Sequence, residues 1–518
     1  MLPIAALASS LLGLTFVVVP LDDRPVTAGL PRLLGAIAGV RVVEPPRPLL
    51  GRYLTGGDPA AILRWLRDAA PPDARAYVVS TDMAVYGGLV ASRVPGVSRA
   101  VAYTRISDLA AFRAGRPGSS FSVFGTVMRL APTGVPARGP AAAFPFAGDL
   151  WPALQEYANL PDPPRREADR ARAEALRAQL GGVLDDYLAV RARDRDVDLF
   201  ALRTAAEGGF DRIVLGQDDA GPVGLHLRDL AVLRAFAARW LPPSRASIEP
   251  GADELAMALV AAALAREAQV LPRVHVVYSR AGGGALADPI EYAPVATTIA
   301  ELIRTCGAVD VTGSPGAADI VLYVRVPDTS DADERAFADA VAAAAGAKAA
   351  GRPLVAVADL SFLADADPAQ QRQLTEDLIA RDAAGRIDAF ASWNTVANTV
   401  GTALPEAIAV LAGKRLGTYD RRMHATFTLM RYIDDVAFHA DVRPRLIAGL
   451  DAAGIADHTY LLPDTAARTA SENRALLWPA GLALLAQIAP EFRDAGFTIT
   501  LPWDRTFETE IDLRLQPR

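Results

Sequence analysis

The sequence predicts an α/β protein in which helices cover largely parallel sheets. Short apolar runs such as FVVVPLDD, AYVVSTD and RIVLGQDD recur along the chain, and each one ends in polar residues. Ala-rich or amphipathic stretches such as PAAILRWLRDAA and DERAFADAVAAAAGAKAAG lie between them. Such apolar runs are typical of strands buried on both faces, and parallel strands need helical crossovers. The alternation therefore predicts layers of strands and helices.

Four segments are expected along the chain. Residues 1–14 are an apolar leader or a truncated secretion signal, because ALAS offers small residues for cleavage but a basic region is missing. Residues 15–250 are expected to form a first α/β lobe, with a charged helical insertion near 161–198. Residues 251–413 are expected to form a second α/β lobe. Residues 414–518 are expected to form a mainly helical extension that ends in a strand.

Composition narrows the possible partners. The chain has 518 residues and a net charge of -7, with no basic block, so nucleic acid is not expected as a partner. Its single cysteine, Cys306, excludes an internal disulfide, and with only five histidines the sequence does not predict a histidine-rich metal site. No segment after the leader predicts a membrane span. The cytoplasm is slightly favoured, export remains open through the leader, and the oligomeric state is not determined by the sequence.

Carboxylates follow several of the predicted strands. Asp22 and Asp23 follow FVVVPL, Asp82 follows AYVVST, and Asp218 and Asp219 follow IVLGQ. In parallel sheets the carboxyl ends of the strands meet at one edge, where ligands bind. The alternative interpretation is that some of these acids cap helices.

Two further motifs supply candidate ligand-binding residues. DMAVYGGLVASR contains Tyr86 and Arg93, and ASWNTVANTVGTAL contains Trp393, Asn394 and Asn398. Trp393 offers a flat apolar platform for a sugar ring, and the asparagines offer amides to a ligand. We expect Asp23, Asp82, Arg93, Asp218 and Asn394 to line one cleft between the lobes.

The sequence also predicts roles for charged side chains near the ends of the strands and helices. At least one of Arg24, Arg93 and Arg129 is expected to donate bidentately to a carboxylate or an anionic group, as guanidinium geometry allows. Asp253 and Glu254, in PGADELAMALVAAALAR, are interpreted as the start of a helix whose dipole favours negative charge.

Several motifs in order resemble those of a bacterial family catalogued as domain of unknown function 4127. They are PLDDRPV, DMAVYGGLVASR, QDDAGPVGLH, GADE, WNTVANTVGTAL and PWDRTFE, and the resemblance extends from Phe16 to the end of the chain. It implies no activity. A weaker resemblance, limited to Asp218 and Asp219, links the adjacent acidic pair to hexosaminidases of the O-GlcNAcase type, which use the acetamido group of the substrate.

Three functions remain open. The first is a glycoside hydrolase, in which Asp219 donates the proton and Asp218 is the oriented anion, because such enzymes divide these roles between two carboxylates. It acts on a carbohydrate or another small molecule and needs no cofactor. The second is a metal-dependent hydrolase that gathers acids and a histidine around magnesium or manganese; its ligands would be Asp22, Asp23, Asp82, Asp218 and His226. The third is a non-catalytic sugar-binding protein whose two lobes close like a clamp.

Overall fold

The computed structural model describes residues 13–131, 150–347, 351–363 and 368–518. The predicted leader, residues 1–14, therefore lies outside the described residues except for its last two. The expected α/β class is confirmed, because two parallel sheets are covered by helices and followed by a mainly helical region.

The first sheet has six parallel strands in the order β2-β1-β3-β4-β5-β6. They are β1 (Thr15–Val19), β2 (Arg41–Val43), β3 (Ala76–Ser80), β4 (Ser120–Val127), β5 (Arg212–Gln217) and β6 (Ala246–Pro250). Every residue of β1 and β3 is buried, which explains their continuous apolar runs. The strand order reverses between β1 and β3, and ligands bind at such a reversal in open α/β sheets.

Helices join these strands and extend the first lobe. They are α1 (Leu30–Ile37), α2 (Pro59–Asp68), α3 (Leu89–Ser92), α4 (Arg99–Ala114), α5 (Leu150–Asn159), α6 (Glu167–Leu180), α7 (Gly182–Ala206) and α8 (Leu225–Trp240). The segment expected as a charged insertion contains α6 and the first part of α7. Two short π-helices, Pro25–Gly29 and Asp82–Tyr86, lie just beyond the carboxyl ends of β1 and β3. Such turns occur often at functional sites.

The second sheet has five parallel strands in the order β11-β10-β9-β7-β8. They are β7 (Arg273–Tyr278), β8 (Val309–Asp310), β9 (Ile320–Arg325), β10 (Leu354–Asp359) and β11 (Ala389–Ala391). The helices around them are α9 (Leu255–Glu267), α10 (Val295–Thr305), α11 (Asp331–Gly346), α12 (Pro368–Ala380) and α13 (Val396–Leu416).

Two helices join the lobes. Helix α9 packs on β3 and β4 of the first sheet, α13 packs on β10 and β11 of the second, and the two helices pack against each other. Helix α13 is long and apolar enough to cross a membrane, but 94% of its apolar window is buried inside the protein. In this fold it is a core helix, consistent with the expectation of no membrane-spanning segment.

The C-terminal region adds three helices and a hairpin. They are α14 (Arg421–Arg431), α15 (Arg443–Ala452) and α16 (Pro463–Ile488), with a π-helix at Tyr432–Val442, and β12 (Phe492–Thr500) pairs antiparallel with β13 (Glu510–Pro517). The sequence led us to expect a single strand here. The motif PWDRTFE is instead part of the connection between the two strands, so its side chains are free to reach another part of the protein.

Candidate functional site

A cavity of about 220 Å³ lies at the carboxyl edge of the first sheet. We call it the site cavity. Its charged and polar wall comes from three parts of the chain: the first lobe, the start and end of the second lobe, and the C-terminal region, chiefly the connection within its hairpin. The wall residues that carry the argument below are Arg24, Tyr53, Arg93, Arg129, Asp218, Asp219, Asp253, Asn394, Asn398, Trp503, Arg505 and Phe507.

Arg24 joins the end of β1 to the segment after β6. Its Nη1 and Nη2 donate to Asp253 at 2.8 and 2.6 Å, and its Nε and Nη2 donate to Asp22 at 2.8–3.0 Å. This is the bidentate arginine that the sequence predicts. Asp22 lies behind the cavity wall, where it also accepts a hydrogen bond from the hydroxyl of Thr27. The predicted contact of Asp22 with a ligand is therefore replaced by a structural role toward Arg24.

The adjacent acidic pair divides into one fixed and one accessible carboxylate. Asp218 pairs with Arg93, and the Nε of Arg129 lies 3.8 Å from its Oδ2, whereas Asp219 Oδ2 lies 3.4 Å from Arg129 Nη1. The side chain of Asp218 is 8% exposed and that of Asp219 is 34% exposed. Both side chains line the site cavity.

The backbone explains how neighbouring aspartates reach the same cavity. The amide of Asp218 still donates to Val127 on β4, but the amide of Ala220 donates to the carbonyl of Ile290 in the second lobe, at 2.7 Å. The chain therefore leaves the first sheet between these two contacts. Residues in a regular strand point to opposite faces, and this turn removes that alternation.

Asp82, which was expected in the cleft, and Tyr86, a candidate ligand-binding residue, both lie behind the wall. Asp82 accepts hydrogen bonds from the amide and the hydroxyl of Thr126 on β4, and burial raises its pKa to about 7. Tyr86 is buried beneath the guanidinium of Arg193, 4.7 Å from its ring centroid. Both residues belong to the π-helix at Asp82–Tyr86, and neither lines the site cavity.

Asp23 contacts the site only indirectly. Its Oδ1 accepts a hydrogen bond from the indole Nε1 of Trp503 at 2.5 Å, and Arg47 lies 3.6 Å from its Oδ2. Burial raises the pKa of Asp23, against the effect of the indole donor. Asp23 therefore positions a wall residue and faces a different cavity.

The aromatic wall comes from Trp503 rather than from Trp393. Trp393 is buried, and its indole Nε1 donates to Thr402 within the core. Trp503 lines the site cavity and stacks on Tyr53, with centroids 5.1 Å apart and planes 16° apart. The guanidinium of Arg505 lies 4.5 Å from the Trp503 centroid. The motif PWDRTFE supplies this wall. Because the end of the chain was expected to form a single strand, the motif was not predicted to contribute to a site.

Three wall residues have a left-handed backbone, which is unfavourable for side chains other than glycine. Tyr53, Asn394 and Trp503 have φ angles of 46°, 57° and 62°, and the described part of the chain contains seven such residues that are not glycine. They come from three distant segments yet meet in one cavity. Strained residues of this kind cluster at binding and active sites, so they support a functional role for this one.

The asparagine amides are oriented by a buried acid. Glu254 is fully buried and accepts a hydrogen bond from Asn398 Nδ2 at 2.7 Å, and Asn398 Oδ1 accepts one from Asn394 Nδ2 at 2.5 Å. Burial raises the pKa of Glu254 well above its usual value. A Cβ on Gly401 would lie 2.2 Å from the Glu254 side chain, so glycine is required for this approach.

The GADE segment was therefore only partly understood from the sequence. Helix α9 does begin at Leu255, directly after Glu254. Asp253 nevertheless binds Arg24 across the lobes and lines the site cavity, and Glu254 orients Asn398. The helix dipole alone does not explain either contact.

The side chains considered for a metal site are dispersed. Within the described ranges, no group of three or more His, Cys, Asp or Glu side chains is arranged to hold a metal ion. Asp22 binds Arg24, Asp23 binds Trp503, and His226 Nε2 contacts the carbonyl of Gly221 at 2.9 Å.

The comparison with known families agrees with the motif resemblance. The family model for proteins of unknown function (DUF4127) matches residues 16–512 of the chain. No curated protein and no solved structure matches the chain.

Proposed function

The chain belongs to the family of proteins of unknown function (DUF4127), and we propose from its site that it is a glycoside hydrolase. The observation that carries the proposal is the unequal environment of Asp218 and Asp219. One carboxylate is buried and held by two arginines, and its neighbour is one third exposed in the same cavity. Glycosidic bond cleavage needs this division, since one group holds or stabilises the sugar while the other transfers a proton.

In the proposed reaction Asp219 protonates the leaving oxygen as the glycosidic bond breaks. Asp218, fixed by Arg93 and Arg129, accepts a hydrogen bond from the N–H of a 2-acetamido group. The carbonyl oxygen of that group then attacks the sugar carbon from the other side. Water later opens the cyclic intermediate and returns a proton to Asp219.

The rest of the wall supports an uncharged sugar as the ligand. The guanidiniums of Arg24, Arg93, Arg129 and Arg505 are paired with three carboxylates of the wall, Asp218, Asp219 and Asp253, and with two behind it, Asp22 and Glu508. These charges nearly balance, so a strongly anionic or cationic ligand would disturb them.

The size and the polar groups of the cavity suit one terminal sugar unit. A volume of about 220 Å³ is below the roughly 300 Å³ at which pockets for drug-sized ligands begin. Asn394 lines the cavity and donates its amide hydrogen to Asn398, and in the proposed complex its carbonyl oxygen accepts from a sugar hydroxyl.

The test is a panel of 4-nitrophenyl glycosides with and without a 2-acetamido group, assayed with the full chain. We expect nitrophenol release from a 2-acetamido glycoside, unaffected by a chelator. Release that the chelator abolishes would favour the metal-dependent hydrolase. Saturable sugar binding by calorimetry without turnover would favour the sugar-binding protein, and neither binding nor turnover would reject the proposal.

A further inference from the structure

An exposed apolar surface lies beside the site cavity. Its first half is Pro222 and Val223, in the segment that follows Asp219. Its second half is Pro289 and Ile290, in the segment between β7 and α10 of the second lobe. All four residues are exposed, Val223 by 61% and Ile290 by 40%. We call them the apolar rim. None of them lines the site cavity, and the proposed reaction at the sugar uses none of them.

The first lobe brings the rim to the proposed acid. Directly after Asp219, the amide of Ala220 donates to the carbonyl oxygen of Ile290 at 2.7 Å. A Cβ on Gly221 would lie 2.9 Å from the carbonyl oxygen of Pro289, so glycine is needed for the two segments to approach this closely. Because consecutive Cα atoms are about 3.8 Å apart, the first half of the rim lies within about 8 Å of this contact. The two halves therefore form one surface, which starts just beyond Asp219.

The second lobe fixes the other half of the rim. Asp288 and Glu291, which flank it, are buried. Their carboxylates accept the amide hydrogens of Val396 and Ala397 at 3.3 and 2.8 Å. These amides begin α13, whose Asn398 lines the site cavity. The part of the rim between the two acids is therefore attached to the same helix start as a residue of the cavity wall.

The composition of the rim indicates a binding surface. Single apolar side chains are common at protein surfaces and need no explanation. A contiguous apolar surface beside a polar cavity is different, since such surfaces mark binding sites. The rim combines four apolar residues from two lobes, and neither half contains a charged side chain. Its side chains offer no hydrogen bonds, so they favour an apolar group over a second sugar.

The chemistry of the proposed reaction identifies what covers the rim. An acid that protonates the leaving oxygen lies beside that oxygen, so the leaving group starts next to Asp219. The site cavity suits one sugar unit, and the leaving group must therefore extend out of it. The rim is the surface that begins there. We propose that the apolar rim binds the leaving group and that the substrates are glycosides of apolar alcohols, an inference that rests on the proposed glycosidase function.

The test compares methyl and n-butyl 2-acetamido-2-deoxy-β-glucosides, with kcat/KM measured on the full chain. The two leaving alcohols have similar acidity, so the added CH₂ groups change contacts with the protein rather than the chemistry. Full burial of one CH₂ is worth about fourfold in affinity, and a surface that covers one side of the alkyl chain should give about twofold per CH₂. We therefore expect kcat/KM to be about eightfold higher for the butyl glycoside.

Matched variants locate the surface. Val223→Ser and Ile290→Ser should each lower the butyl-to-methyl ratio to about threefold, and the double variant should bring it near one. Leu271→Ser is the control, because Leu271 is 60% exposed but lies just before β7, at the amino edge of the second sheet. The ratio of this control should equal that of the unaltered chain. An unchanged ratio in the double variant, or an equal fall in Leu271→Ser, would overturn the inference.

The same assay separates this inference from the function on which it rests. Turnover of the methyl glycoside with a butyl-to-methyl ratio near one in the unaltered chain would reject the role of the rim alone. Turnover of no glycoside, including the 4-nitrophenyl panel, would reject the glycosidase proposal and this inference with it.

Discussion

The carboxyl ends of the two sheets carry the same kind of residue but face different surroundings. Asp219, beyond β5, is one third exposed in the site cavity. Asp359, at the end of β10, is fully buried, 3.4 Å from Arg325, and accepts the amide hydrogen of Ser361. A π-helix also closes the second edge, where Asp435 accepts the amide hydrogen of Ser392. The first edge instead faces the other lobe and the hairpin connection. An acid after a strand is thus available for chemistry only where a second part of the chain leaves space beside it.

The largest expected difference between the two edges is in catalysis. Asp219→Asn should reduce turnover of a 2-acetamido glycoside with a poor leaving group by about 10²–10⁴-fold, the range for a lost proton donor. An activated aryl glycoside needs little protonation and should be nearly spared, whereas Asp218→Asn should impair both substrates. The measurement is kcat/KM for the pair of substrates. Equal losses on both substrates with Asp219→Asn would reject its role as the acid.

A substitution at the carboxyl edge of the second sheet should lower the stability of the protein rather than its activity. Asp359→Ala leaves the buried guanidinium of Arg325 with one partner fewer, and removing half of a buried ion pair costs about 3–5 kcal/mol. Glu334 remains bound to Arg325, which places the expected loss near the lower end of that range. Urea unfolding measures it. Asp219→Ala is the matched control, and an equal loss of stability there would erase the proposed contrast between the edges.

The sequence predicted the strands, the layers and the acidic pair, because these depend on local apolar runs and their ends. It could not distinguish Asp219 from Asp359, since both follow buried strands and differ only in distant neighbours. The role of Trp503 depends on a contact with Asp23 across 480 positions. The local sequence around Trp393 favoured a ligand-binding role for that residue, but its indole donates a hydrogen bond to Thr402 within the core. Long-range packing, which a single sequence does not reveal, decided each of these cases.

Asp82 sharpens the contrast within the first edge itself, because it follows β3 but is enclosed. Its pKa is raised to about 7, so the folded state holds this proton more tightly than the unfolded chain, whose aspartates titrate near 3.8. The stabilisation is present below about pH 4, decreases as the pH rises toward 7, and is lost above it. Each unit of pKa shift corresponds to about 1.36 kcal/mol.

Asp82→Asn should remove this contribution to the pH dependence. The free energy of unfolding of the unaltered chain should fall relative to that of the variant between about pH 4 and 7, with a constant difference above pH 7. Urea titrations at several pH values measure the difference. Glycosidase turnover should change little, since Asp82 contacts Thr126 rather than the cavity. A difference that stays constant from pH 4 to 7 would contradict the assignment.

The smallest expected effect separates the two tryptophans. Trp503→Phe retains an aromatic ring against Tyr53 but removes the indole donor to Asp23, and a buried acceptor left without its partner costs about 1–3 kcal/mol. Because Trp503 lines the site cavity, part of that cost should appear as a several-fold higher KM for the sugar. Trp393→Phe removes a donor to Thr402 within the core, so it should lower the free energy of unfolding by a similar amount and leave KM unchanged. Parallel kinetics and urea unfolding of the two variants give both quantities. A raised KM in Trp393→Phe with an unchanged KM in Trp503→Phe would show that Trp393 contacts the sugar. The sugar would then bind at the edge of the second sheet and not at that of the first.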